Sequence, residues 1–171
     1  MTADVVTCSE DLGPWAAALG KLVNSLQSLE FVLRVFLAAD ARSQDSSAHG
    51  HDPYDSPEGS IVPLDPFTDY AQLRELVRRY NAAVAAVLPA LVIDPGVVRI
   101  RDALAHGRVS AASPSQALRL IKYSPPRRED PTTVTVQFSV QLTEDWLRGQ
   151  MRAVQNLTLK VVEAHERLHL Q

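Results

Sequence analysis

Three side chains that together could act on a phosphate ester lie within one short segment. Residues 101–107 read Arg-Asp-Ala-Leu-Ala-His-Gly, so the segment holds an arginine, a carboxylate and an imidazole. Imidazole exchanges protons near neutral pH, and a guanidinium stabilises negative charge on a phosphate. Arg101, Asp102 and His106 are therefore the candidate catalytic residues, for a chemistry that needs no metal and no other cofactor.

These residues lie on a predicted helix with clear end signals. Asp94 can accept hydrogen bonds from free backbone N–H groups, Pro95 suits the first helical position, and Gly107 can close the helix in a left-handed conformation. At about 100° per residue, Asp102 and His106 fall on one side of this helix. The carboxylate is then placed to orient the imidazole.

Arg101 falls on nearly the opposite side of the same helix. Ala103 and Ala105 flank the Asp102–His106 pair with little bulk, so a second surface is expected to approach closely. The spacing also fits a surface Asp–His pair with no catalytic role. The side that holds Arg101 also carries Val97, Ile100, Leu104 and Arg108.

Three further helices are predicted around this segment. The first runs from about Asp11 to Asp40, because its apolar residues recur alternately four and three positions apart. Another runs from about Thr68 to Leu88 and stops at Pro89, and Thr143 caps the last one. The apolar positions of the first helix are Trp15, Leu19, Leu22, Leu26, Leu29, Leu33 and Phe36.

Between the third and last helices the hydrophobic period changes to two. Apolar and polar residues alternate from 133 to 142, which predicts a half-buried strand, and 118–123 is its partner in a β-hairpin at about 117–142. Residues 41–67 are rich in Ser, Pro and Gly and predict a long flexible loop. The expected fold class is mainly α, a four-helix up-and-down bundle in one domain spanning 1–171, with the hairpin inserted between helices 3 and 4.

Composition limits the function classes. The net charge of -3 argues against binding nucleic acid through bulk charge, so RNA contacts would depend on local arginine clusters. Cys8 is the only cysteine, which excludes an internal disulfide and a thiolate zinc site. The start of the sequence has no signal-peptide pattern, and the apolar run Ala82–Ile93 is shorter than the roughly 20 residues of a membrane span. We therefore expect a cytoplasmic protein without membrane contact.

The segment around the candidate site resembles a known family. Residues 100–109, Ile-Arg-Asp-Ala-Leu-Ala-His-Gly-Arg-Val, are similar to the signature of HEPN domains, in which an arginine, a polar residue and three mostly apolar residues precede a histidine. The leading helix around 26–34 and the closing helix from Thr143 are similar to the layout of these proteins. The resemblance covers most of the chain in layout and about ten residues in motif.

The resemblance implies a metal-independent endoribonuclease that works as a homodimer on RNA, in a toxin or defence role with an antitoxin or other protein partner. His106 would handle the proton of a ribose 2′-hydroxyl or of the leaving oxygen, and Arg101 would stabilise the charged phosphate. Asp102 would orient His106. Members controlled by nucleotide addition carry a tyrosine two positions after the histidine, where this chain has Arg108, so that control is not expected. The residues expected to contact RNA are Arg108, Arg74 and Arg78.

Two other interpretations remain open. One is a catalytically inactive HEPN module that binds RNA or a partner protein. The other is a metallohydrolase, because 165–169 reads His-Glu-Arg-Leu-His, the pattern of two zinc ligands around a general base. A third ligand would have to come from His49, His51 or Asp52, so an amphipathic terminal helix without metal is favoured. On the first helix, Glu30 and Arg34 are expected to form an ordinary solvated pair.

Overall fold

The computed structural model describes residues 13–44, 56–110 and 118–170. It is mainly helical with a small antiparallel sheet, as the sequence predicted for the fold class. The predicted helix start at Asp11, loop residues 45–55 and the hairpin start at 117 lie outside the described residues. The elements are α1 (Gly13–Gln44), α2 (Leu73–Val84), a 3₁₀ turn (Pro89–Leu91), α3 (Gly96–His106), β1 (Arg108–Ser110), β2 (Arg119–Tyr123), β3 (Val136–Gln141) and α4 (Glu144–His169).

Helix α1 is longer than predicted and takes residues 41–44 from the expected loop. Its apolar residues recur three and four positions apart, and the central ones are buried, which confirms the pattern. Trp15 and Leu19, nearer its start, are only half-buried. The buried positions are Leu22, Leu26, Leu29, Leu33 and Phe36.

Among the described residues, 13–43 of α1 form the one stretch that is long and apolar enough to cross a membrane. Length and composition alone give this indication. In its most apolar window 44% is buried inside the protein, and core helices of soluble proteins have the same length and composition. The stretch is therefore only a weak indication of a membrane span.

Helix α2 ends at Val84, earlier than predicted. The chain continues through turns until Leu88 adopts φ -135° and ψ 60°, because the residue before a proline disfavours helical geometry. Val87 lies outside the helix and is 59% exposed. The apolar residues Leu73, Leu76, Tyr80 and Val84, which lie within the helix three or four positions apart, are all buried.

The hairpin is present and belongs to a three-stranded sheet in the order β1-β2-β3. Strand β1 was not predicted, because three residues are too few to show a period of two. It pairs antiparallel with β2 at Arg108 and Ile121. The apolar side of 134–142 is half-buried at Phe138 and Val140 and buried at Leu142, whereas Val136 is 54% exposed, so the predicted half-buried strand is present from 138 onward.

The chain separates into two compact units. Among the described residues, the first comprises 13–26, 100–110 and 118–153, and it contains the sheet and the candidate catalytic residues. The second comprises 27–44, 56–99 and 154–170 and contains α2 and the 3₁₀ turn. The single-domain organisation stays a prediction.

In the second unit, Arg34 is a partly buried anchor and not part of a solvated pair. Its side chain is only 14% exposed, and the contact with Glu30 at 3.4 Å is its longest. The guanidinium also donates to the carbonyl oxygens of Pro66, Asp69 and Ala71 and to the Asp69 carboxylate, over 2.7–3.2 Å. Arg34 therefore fastens the chain segment 66–71 to α1.

Asp69 completes this anchor. It accepts from Arg34 at 2.9 Å and from Arg79 at 2.8 Å, and the Ala71 N–H donates to it at 3.0 Å. Burial alone would raise the pKa of Asp69, but these hydrogen bonds from Ala71, Arg79 and Arg34 outweigh it and lower the pKa below its usual range. The charged carboxylate is thus the stable form in the folded unit.

Candidate functional site

Helix α3 begins as the sequence predicted. The Gly96 N–H donates to the Asp94 carboxylate at 2.8 Å, and Pro95 precedes Gly96 without needing a hydrogen bond of its own. The helix then runs to His106, so the imidazole lies on its last residue. The local sequence therefore fixes both ends of the segment that carries the three candidate residues.

Gly107 ends the helix for a reason other than the one predicted. Its φ is not positive, and Gly59 is the one residue with a positive φ in the described ranges. A Cβ at Gly107 would lie 2.3 Å from the carbonyl oxygen of Ala103 and 3.0 Å from that of Ile121. Glycine is required here because a side chain would clash with the last turn of α3 itself and with β2.

Asp102 and His106 lie together, as their spacing predicted. His106 Nε2 is 3.7 Å from Asp102 Oδ1, which is long for a hydrogen bond and suits an ion pair when the imidazole is protonated. The His106 side chain is 63% exposed and that of Asp102 is 32% exposed. The imidazole can therefore exchange protons with solvent or with a ligand while it stays beside a carboxylate.

Lys122 is a further member of this site that the sequence analysis missed. Its ammonium donates a hydrogen bond to Asp102 Oδ2, and its side chain is 18% exposed. Lys122 lies on β2 two residues after the buried Leu120, so both point to the same face of the sheet. A lysine in the apolar register of a strand was the signal that could have revealed it.

Arg101 does not join this cluster within one chain. Five residues at about 100° each place it roughly 140° around α3 from His106. It is half-buried, and the described part of the chain provides no carboxylate partner for it. Its guanidinium therefore keeps its charge available on a different side of the helix.

The two small residues beside the pair have different environments. Ala105 is exposed, as expected for a surface that leaves room for an approaching partner. Ala103 is fully buried, because its position faces the interior of the first unit. The expectation that both alanines leave the pair open is therefore wrong for Ala103.

The predicted RNA-contacting arginines lie in different units. Arg108, in the first unit, is exposed and lies 6.0 Å from the ring centroid of Tyr123, a cation–π distance. Arg74 and Arg78 are exposed on α2 in the second unit. Arg78 is bound by Glu75, with its Nε donating at 2.8 Å, which reduces the charge it offers to a ligand.

No family model, no curated protein and no solved structure matches this chain. The resemblance to HEPN domains consequently rests on the ten-residue motif and the order of elements.

The histidines of the His-Glu-Arg-Leu-His run form an aromatic cluster in the second unit. The rings of His165 and His169 lie 5.3 Å apart and pack against Phe36, with centroid distances of 6.4 and 5.1 Å. Among the described residues, no group of three or more His, Cys, Asp or Glu could hold a metal ion. The alternative donors His49, His51 and Asp52 lie outside these residues.

We expect His165 to make the second unit sensitive to acid. Burial lowers its pKa, and the neighbouring His169 and Arg42 add to this against an opposing effect of Glu166. As the pH falls below about 6.5, the unfolded chain takes up this proton before the folded chain does. The neutral imidazole of His165 therefore contributes to the stability of the fold above the ordinary histidine pKa. This contribution is lost as the pH falls through the lower pKa of the folded state.

The measurement is the thermal unfolding midpoint between about pH 7.5 and pH 5, a range that brackets the ordinary histidine pKa. A His165→Leu variant should show a smaller decrease toward acid than the wild-type protein. Parallel profiles for the two proteins would contradict the assignment.

Proposed function

We propose that this chain is a metal-independent endoribonuclease of the HEPN type that acts on RNA in the cytoplasm as a homodimer. One observation carries the proposal. The imidazole of His106 is exposed at the end of α3 beside a carboxylate, and it follows Arg101 at the spacing of the HEPN motif. A toxin or defence role with an antitoxin partner is part of the same proposal and rests on the resemblance alone.

The reaction uses only groups of the RNA and of the protein. One imidazole takes the proton of a ribose 2′-hydroxyl as that oxygen attacks the adjacent phosphorus. The bond from phosphorus to the 5′ oxygen breaks, and this oxygen takes up a proton from the imidazole of the second copy. The products are one strand with a 2′,3′-cyclic phosphate and one with a 5′-hydroxyl.

The charges around His106 are compatible with an RNA phosphate. A lone carboxylate beside the imidazole would repel the phosphate, whereas the Lys122 ammonium offsets the charge of Asp102. Arg101 lies roughly 140° away around α3, so one chain does not aim both groups at one phosphate. A second copy that supplies the missing group across a two-fold axis is the simplest completion of the site.

The test is incubation of purified protein with total RNA in EDTA, followed by analysis of the new ends. We expect cleavage that leaves 2′,3′-cyclic phosphates, together with a solution mass of a dimer. A parallel preparation of the His106→Ala variant controls for contaminating RNases. Activity that EDTA abolishes, or a monomeric active species, would contradict the mechanism. Intact RNA that nevertheless binds would favour the inactive HEPN module.

A further inference from the structure

A surface groove of about 600 Å³ lies in the second unit between α2 and the start of α3. Three arginines line it, Arg74 and Arg78 from α2 and Arg99 from α3, together with the apolar Val77 and Val98. We call this feature the arginine groove. Its volume is within the range of about 300–1,000 Å³ typical of small-molecule sites.

The arginine groove has uncompensated positive charge although the chain as a whole carries -3. Glu75 binds Arg78, and the nearby Asp94 keeps its negative charge while it accepts from the Gly96 N–H, so three arginines face two carboxylates and leave a net positive charge. Across the residues that the structure describes, neither Arg74 nor Arg99 has an ion-pair partner. Two exposed guanidiniums are therefore available to an anionic ligand.

The walls of the groove are held in place independently of any ligand. The side-chain amide of Asn81, on α2, donates to the Ile93 carbonyl oxygen at 2.9 Å and accepts from the Ile93 N–H at 3.0 Å. This two-way bond fixes the segment that leads into α3 against α2. A ligand would therefore find the backbone of the groove already in place and would have to order only the exposed arginine side chains.

We propose that the arginine groove binds a nucleotide unit, with the phosphate on Arg74 and Arg99 and the base against Val98. Guanidinium groups pair with phosphate oxygens through two parallel hydrogen bonds, which a simple ammonium cannot do. The apolar lining suits the flat face of a base. The unit can come from a free mononucleotide or from single-stranded RNA. None of Arg101, Asp102 and His106 lines the groove, so binding does not require the proposed cleavage.

The experiment measures binding of a fluorescein-labelled, single-stranded 2′-O-methyl RNA by anisotropy, since this RNA cannot be cleaved through its 2′ oxygen. Arg99→Ala and Arg74→Ala should each weaken binding about fivefold to tenfold. The slope of log K against the logarithm of the salt concentration should become shallower by about 0.7 for each arginine removed. Arg152→Ala, an exposed arginine on α4 outside the groove, is the matched control and should bind like the wild type.

Calorimetry with AMP and with inorganic phosphate separates the two sources. Binding of AMP that the same substitutions weaken assigns the groove to free nucleotides, and binding of the RNA alone assigns it to a strand. Wild-type binding by both arginine variants would overturn the proposal, as would inorganic phosphate that binds as well as AMP. RNA cleavage in EDTA can persist even if the arginine groove binds no nucleotide. The proposed ribonuclease activity and the proposed binding at the groove are therefore tested separately.

Discussion

Replacing His106 with alanine should lower the rate of RNA cleavage by at least about 100-fold, the usual contribution of a general acid or base. The thermal unfolding midpoint should stay at its wild-type value, because the side chain is 63% exposed and is not part of the core. The comparison of initial rates in EDTA with unfolding curves for both proteins checks the two parts of this expectation together.

Two controls separate a chemical role of His106 from a structural one. Added imidazole should restore part of the activity of His106→Ala, since the free base can enter the space left by the side chain. Arg152→Ala, which removes another exposed side chain of the first unit, should cleave like the wild type. Equal activity of His106→Ala and wild-type protein would remove the basis of the proposed mechanism.

The largest loss of stability is expected from Arg34→Met. Methionine keeps much of the apolar stem but removes every hydrogen bond to the segment 66–71. Breaking a fully buried charged pair costs about 3–5 kcal/mol, and the cost here falls at the lower end of this range because the side chain of Asp69 is 24% exposed and keeps Arg79 as a partner. We therefore expect the free energy of unfolding to fall by about 3 kcal/mol, measured by urea denaturation.

A matched pair of variants checks this assignment. Glu30→Gln should cost less than about 1 kcal/mol, because its contact with Arg34 is long and easily replaced by water. Arg152→Met should leave the free energy of unfolding unchanged, as it removes an exposed arginine without a partner segment. If Arg34→Met matched either of them, the anchor would not be a main source of stability in the second unit.

Local signals in the sequence predicted the elements whose causes are local. Asp94 and Thr143 were recognised as caps, and both accept the expected hydrogen bonds from the residues that follow them. The apolar spacing of α1 identified its buried side. The early end of α2 and the short β1 were missed, because turn geometry before Pro89 and the pairing of three residues leave little trace in a hydrophobic pattern.

The candidate site was only partly predictable for the same reason. The sequence was enough to predict the Asp102–His106 pair, because two residues four positions apart lie on the same side of a helix. Lys122 meets Asp102 from a strand 20 residues away, and Arg34 meets Asp69 across 35 residues. Such partners depend on tertiary packing, which no local pattern in one sequence contains.

Because Gly107 has no side chain, the end of α3 packs closely against β2, and this contact links the candidate site to the sheet. Gly107 joins His106 directly to Arg108, and its own N–H donates to Ala103 at 2.7 Å. If β1 slipped by one residue against β2, Arg108 would turn to the other face and the last turn of α3 would have to unwind. The pairing register of the three short strands thus determines where the imidazole of His106 lies on the protein surface. Residues of β2 and β3 outside the candidate site therefore help to determine where His106 lies.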